Sequence, residues 1–281
     1  MGIDVHALQL LQYNKQKNGN LGKTLTLGRQ AVLVGPKLAK KWIGTDQGAW
    51  CEELLIKHFN ADKVDSIDNS NYEDASIIYD YNNPIPEAFK NQYDSVLDFG
   101  CSEHIFDVAQ AFKNTIDVCK LGGIILHILP ANGFCGHGFY QFSAEFFFSL
   151  YSEENGFEQT EVYFSDLYEP KKWYAVTKPN NGERINIRTK NETYIIVKAK
   201  KKSNQNIFLQ QSDYTYLWNE KQTQTAQPYR VGKITKMVEI LSFSPLAVKL
   251  FMSFVNYITL LGGVKSLKKH KNLKLCIPPT I

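Results

Sequence analysis

A chain of 281 residues, 43% of them hydrophobic, is long enough for one large α/β domain with an appendage, so neither a stapled miniprotein nor a disordered chain fits. A formal charge of +4 is too small to imply nucleic acid, because a basic groove needs clustered Lys and Arg and not a mild global excess; no nucleic-acid partner is expected. Five cysteines, an odd number with no C-x-x-C pair, suggest neither a disulfide framework nor a zinc site; no metal is expected, and a reducing, cytoplasmic compartment fits best.

Residues 1–22 carry a short helical pattern, Val5 to Tyr13, and a Lys/Asn/Gly-rich link, and are read as a lead-in without a signal sequence. Thr24-Leu-Thr-Leu-Gly28 predicts a first strand closed by glycine, with Arg29 and Gln30 where a cofactor loop would lie. Apolar residues at helical spacing follow within 36–59, up to the stop at Asn60-Ala61-Asp62. Val64 to Asp68 predicts a second strand and Ala75 to Asp80 a third, which Pro84 and Pro86 end because proline cannot continue a central strand. Tyr93 to His104 predicts a buried fourth strand closed by Gly100 and then by acidic and imidazole side chains. A helical segment from Ile105 to Cys119 leads to a fifth strand, Ile124 to Leu129.

A loop rich in glycine and aromatic residues, Ala131 to Ser143, precedes a helix from Ala144 to Tyr151. Phe157 to Phe164 and Thr193 to Ala199 predict an antiparallel sixth and seventh strand, joined by a long excursion, Ser165 to Glu192. On position alone, Trp173, Tyr174 and Arg188 of that excursion form part of a lid. Residues 203–281 are read as a linker and a C-terminal helical extension. Within it Pro245 to Leu261 is apolar except for a thin polar stripe of Lys249, Ser253, Asn256 and Thr259. At about 17 residues this segment falls short of the roughly 20 that span a bilayer. With the lysines that follow, residues 245–274 either contact an anionic membrane surface peripherally or bury the helix against the core or a partner subunit.

Leu25-Thr-Leu-Gly-Arg-Gln30, Val64-Asp-Ser-Ile-Asp68 with Tyr72-Glu73, Asp80-Tyr-Asn-Asn-Pro-Ile-Pro86, Asp98-Phe-Gly-Cys-Ser-Glu-His-Ile-Phe106 and Gly136-His-Gly-Phe-Tyr-Gln-Phe-Ser143, in this order, resemble a group of bacterial class I S-adenosylmethionine (SAM)-dependent methyltransferase-like proteins. Some of these accompany surface-polysaccharide genes. The resemblance covers residues 23–202 and implies a Rossmann-like, seven-stranded, mostly parallel sheet with an antiparallel last strand. It also implies SAM at the carboxyl ends of the strands. The chain departs from the family in its first loop, where Gly28-Arg29-Gln30 replaces the usual Gly-x-Gly-x-Gly.

The expected cofactor residues are Gly28, Asp68, Asp80, Phe99, Gly100 and Glu103. Asp68 would accept both ribose hydroxyls and Asp80 an adenine amine, or each would cap a turn. His137 is the preferred base, because imidazole titrates near neutral pH, and His104 is a second base or a helix cap. Asn132, Tyr140 and Gln141 would orient the acceptor. His127, inside an apolar strand, is read as a satisfied core histidine. The leading expectation is methyl transfer from SAM to an oxygen of a sugar or other small polar acceptor. The alternative is a catalytically silent Rossmann-like binding module, possible because the first loop has lost its glycines.

Overall fold

The structure is a computed structural model that describes residues 2–45, 48–179, 185, 187, 189–207, 232–262, 266–268 and 270–281. A short strand β1 (Gly2–Ile3) and helix α1 (Val5–Asn18) come first; Asp4 caps the helix by accepting the Ala7 N–H at 2.9 Å. There follow β2 (Gly22–Leu27), β3 (Ala31–Val32), α2 (Pro36–Ile43), α3 (Cys51–Phe59), β4 (Ala61–Asp68) and β5 (Ile77–Ile78). The second half of the domain is β6 (Tyr93–Phe99), α4 (Val108–Val118), β7 (Cys119–Asn132), α5 (Ala144–Leu150), β8 (Phe157–Asp166), β9 (Trp173–Val176) and β10 (Thr193–Lys201). Helices α6 (Lys233–Ile240) and α7 (Pro245–Gly262) and strand β11 (Leu273–Cys276) complete the chain.

The main sheet has the order β11-β9-β8-β10-β7-β6-β2-β4-β5. From β7 to β5 every pairing is parallel, and from β7 through β10, β8 and β9 to β11 every pairing is antiparallel. The chain starts at β2, moves outward through β4 to β5, then returns to place β6 on the other side of β2. That reversal is the topological switch point of a Rossmann-like α/β sheet.

Strict alternation in the central strands sorts the core into two layers. Ile125 and Leu129 of β7, with Ile195 and Val197 of β10, face Phe112 and Ile116 of α4 and Phe147 of α5. Their neighbours Ile124, Leu126, Ile128 and Ile196 face Leu8 and Leu11 of α1 and Leu54, Leu55 and Phe59 of α3. Burial on both faces explains the near-continuous apolar runs of these strands.

Several expectations are corrected. The sheet has nine strands, not seven, because the Ser165–Glu192 excursion folds back as β9 on β8, and β11 then adds to β9. Trp173 and Tyr174 therefore lie buried in a strand instead of forming a lid; Arg188 lies outside the described residues. The third strand shrinks to two residues on the sheet edge. Within residues 1–22, read as a lead-in, α1 covers one face of the sheet. Most of the expected linker, 208–231, lies outside the described residues. No described helix is long and apolar enough to cross a membrane.

Lys201 shows how the antiparallel half is tied to the parallel half. Its side chain is only 3% exposed, yet its ammonium donates to the carbonyls of Ile116 and Cys119, both at 2.8 Å, and to Asn91 Oδ1 at 3.3 Å. The two carbonyls belong to the end of α4, where backbone acceptors lack helical partners. Lys201→Met should leave them unpaired and lower stability by about 2 kcal/mol. The expected result in urea denaturation is a lower midpoint with an unchanged slope; a midpoint equal to the parent's would mean that the lysine contributes nothing.

Candidate functional site

Two cavities open at the carboxyl ends of the parallel strands, and one turn separates them. After β6 the chain bends at Gly100, whose φ of +90° favours glycine, and runs through a short 3₁₀ turn, Ser102–His104. The turn is held from below by Asp98, fully buried at the end of β6. One carboxylate oxygen of Asp98 accepts the Cys101 and Ser102 N–H groups at 3.1 and 3.3 Å. The other accepts the Ser102 hydroxyl at 2.7 Å and lies 2.9 Å from Nδ1 of His127 on β7. With Nδ1–H given to the carboxylate, His127 Nε2 accepts the Tyr151 hydroxyl at 2.6 Å. His127 is thus the satisfied core histidine that the sequence suggests. Burial pushes the Tyr151 phenol well above its ordinary pKa, so it stays a hydroxyl.

The first cavity, of about 190 Å³, lies at the ends of β2, β4 and β6. Leu27, Asp68, Asp80, Asn82, Cys101 and His104 are among its lining residues. One oxygen of Asp68 accepts the Ser70 N–H at 3.0 Å. Asp80 is more fully engaged: it accepts the backbone and side-chain N–H groups of Asn82 at 3.0 and 2.7 Å and the Asn83 amide at 3.2 Å. These bonds, the Asn82 backbone first, lower its pKa. Asp80 thus serves its turn as well as lining the cavity.

Above this cavity the first loop is closed by side chains where the expected family pattern has glycines. Gly28 turns with φ +67° and donates its N–H to Ile67 O at 2.8 Å. Arg29 pairs with Glu52 at 2.7 Å, donates to Glu73 O at 3.0 Å, and stacks on Trp50 with its guanidinium carbon 4.6 Å from the ring centre. Gln30 is buried and donates to Leu27 O at 2.6 Å.

The second cavity, also about 190 Å³, is lined by Gly2, Asp4, Phe99, Gly100, Glu103 and His137 among others. Its centre is Glu103, a carboxyl only 1% exposed. Oε1 lies 3.3 Å from His137 Nε2 and 3.9 Å from His104 Nε2, while Oε2 has no partner among the described residues. The two imidazole rings meet edge to face at 4.7 Å. Glycine makes the approach possible. Gly138, at φ +68°, donates no Cβ where one would come within 2.8 Å of Glu103 O, and the next residue, Phe139, donates its N–H to that carbonyl at 2.7 Å. Glu103, His104 and His137 each offer one ligand atom, all within 4.8 Å of one another, which is also the donor set of a divalent-cation site.

Of the expected residues, Asp68, Asp80 and His104 share the first cavity, and Phe99, Gly100, Glu103 and His137 share the second. Gly28 shapes the loop above. The three acceptor residues are not brought together. Asn132 lines a separate cavity of about 360 Å³ beyond β7, Tyr140 donates its hydroxyl to Phe106 O at 2.6 Å, and Gln141 accepts the Phe134 N–H at 2.9 Å. The last two hold the 131–143 loop closed. His104 does not cap α4, a role taken by Asp107. Sequence reasoning missed Cys101 and Asn82 in the first cavity and Gly2 and Asp4 in the second; for Asp4 the signal was present, an acid directly before a helical run.

No model of a known protein family matches the chain, and no curated protein matches its sequence. Among solved structures it is similar to a SAM-dependent methyltransferase from Thermotoga maritima described as a possible histamine N-methyltransferase. The identity is 15%, with 70% of this chain and 92% of that one covered, at a TM-score of 0.38. A putative methyltransferase from Bacillus halodurans is 13% identical over 69% of this chain and 97% of its own, with a TM-score of 0.38. The 1,6-didemethyltoxoflavin-N1-methyltransferase of Burkholderia thailandensis, solved with bound 1,6-didemethyltoxoflavin and S-adenosylhomocysteine, is 9% identical over 71% of this chain and 79% of its own, with a TM-score of 0.37.

Burial, and after it the charge of Asp98, pushes the Glu103 carboxyl up to about 8. An acid so shifted holds a proton in the folded state that the unfolded state has released. Its stabilising contribution is full below the ordinary value of 4.5 and is lost as pH rises to about 8. The parent should therefore lose stability relative to Glu103→Gln between these limits, on the order of a few kcal/mol by linkage. Urea midpoints of both proteins at pH 5 and pH 8 check this; parallel pH dependences would refute the shift.

Proposed function

We propose that the chain is a SAM-dependent methyltransferase acting on an oxygen of a sugar or other small polar acceptor. The observation that carries this reading is the pair of cavities flanking the Gly100–His104 turn at the switch point of the sheet. In the reading the first cavity takes SAM, with the free oxygen lone pairs of Asp68 accepting from the ribose, and the second takes the acceptor. The methyl carbon then passes from sulfur to the acceptor oxygen as the carbon–sulfur bond breaks, S-adenosylhomocysteine leaves, and the acceptor proton goes to His137. Such a transfer needs mainly alignment and one proton acceptor, so a small constellation is sufficient. His104, on the wall between the cavities, is the second candidate; burial, then the neighbouring His137, lowers its pKa and keeps it neutral at pH 7. The sugar follows from the resemblance to proteins that accompany surface-polysaccharide genes.

Calorimetric titration with SAM tests the cofactor half. The expected result is micromolar binding, about −8 kcal/mol, weakened at least tenfold in Asp68→Asn and retained in His137→Ala, which loses turnover. No binding at millimolar SAM would replace this reading by the silent module, for which the Arg29 strap over the first loop is the structural support.

A second reading of the acceptor cavity is favoured by the unpartnered Oε2 of buried Glu103. Buried carboxylates are paired or bound to metal. A divalent cation on Glu103, His104 and His137 would hold and acidify the acceptor oxygen. The two readings part on chelation: turnover unaffected by EDTA keeps His137 as the proton acceptor, whereas loss that Mn²⁺ or Zn²⁺ restores makes it a ligand.

A further inference from the structure

The C-terminal helices carry an apolar face that nothing in the described chain covers. Phe243, Leu246, Leu250, Phe254 and Tyr257 are 59–81% exposed. From Leu246 to Tyr257 they fall at intervals of four, four and three residues, which places them on one side of α7. Ile240 at the end of α6 is exposed as well. No side chain of α7 whose surroundings are described is buried. A helix this apolar is ordinarily half buried against the domain it belongs to. Exposed apolar strips of this length mark an interaction surface.

The charge of the segment identifies the other side of that surface. Between residues 232 and 281 the only acid is Glu239, against eight lysines. Lys233, Lys236, Lys249, Lys268 and Lys274 are exposed. Lys249, with Ser253, lies beside the apolar strip on α7, where a long stem can lie along the interface while its ammonium reaches out. Two copies pairing through these helices would bring the same excess of lysine against itself and be repelled. An anionic surface would be attracted, and an anionic lipid surface offers both charge and hydrocarbon.

We propose that α6 and α7 lie in the plane of an anionic membrane surface, with the Phe243–Tyr257 strip inserted among the acyl chains and the lysines on the headgroups. The arrangement anchors the sheet domain at a bilayer without crossing it. It rests on the helices alone and is independent of the methyl-transfer reading.

Co-sedimentation of the full chain with phosphatidylcholine vesicles, with and without 30% phosphatidylglycerol, tests the proposal. The protein should pellet with the anionic vesicles, at least tenfold less with the neutral ones, and less again at 0.5 M salt, because exposed charges are screened. The double variant Leu250→Glu, Phe254→Glu should stay in the supernatant while its far-ultraviolet circular dichroism matches the parent's, since both side chains are exposed. Equal pelleting of variant and parent, or of charged and neutral vesicles, would overturn the proposal. So would a parent that is a dimer in solution and becomes monomeric in the double variant, because the strip would then belong to a second copy.

Discussion

The buried carboxylate of Asp98 is the constraint on which the rest of the site depends. An ionised acid in the core is tolerable only when its lone pairs are filled. Asp98 meets this with donors from Cys101, Ser102 and His127. Two of those donors are backbone N–H groups of the turn itself, so filling the carboxylate also fixes the path of the chain from Gly100 to His104. Of the other two, the Ser102 hydroxyl also belongs to the turn, and His127 reaches across from β7 and bonds Tyr151, the residue that ends α5. One side chain therefore sets the strand, the turn and the helix packed beneath it. Glu103 and His104 follow directly on the two residues that this network holds.

The same carboxylate acts on Glu103 through space. Asp98 is charged and buried nearby, so a second charge on Glu103 would be disfavoured beyond its own desolvation. The protein places a carboxyl that resists ionisation 3.3 Å from one imidazole and 3.9 Å from another. A carboxyl poised near neutrality next to two imidazoles can exchange a proton with them or bind a cation in its place. Groups perturbed in this way by burial and a specific partner, in a cleft, are where function is most often found.

How much of this was legible in the sequence depended on whether burial or partnership decides. Strands β6, β7 and β10 are buried on both faces, so their apolar runs announce them. Strands β9 and β11 have four residues each and lie among polar segments; only their pairing partners make them strands. Glycine at 28 and 100 and the acids at 68 and 98 mark strand ends, a local signal. The roles of Tyr140 and Gln141 were not legible, because their partners are distant in sequence: Tyr140 bonds Phe106, 34 residues away, and Gln141 bonds Phe134, 7 residues away. Nor was the meeting of Glu103 with His137, 34 residues apart, more than an inference from chain order. Gly138 held the clue: a glycine beside a histidine in an aromatic loop suggests close backbone approach, and the approach is to Glu103.

Arg29 sets the remaining constraint on how the first cavity can be used. In a glycine-rich loop the backbone itself contacts a ligand, because no Cβ intervenes. Here the loop instead sends a guanidinium sideways, over Trp50 and onto Glu52 and the Glu73 carbonyl, which ties the end of β2 to the loop after β4. The strap stabilises the two loops that bound the cavity, and it removes the need for glycine at 29 and 30. The strap itself stays out of the cavity, which is lined instead by the strand ends, Asp68 among them, and by Cys101 and His104 of the turn after β6. That turn is held by the buried Asp98 network, so an element fixed from the core also forms the wall common to both cavities.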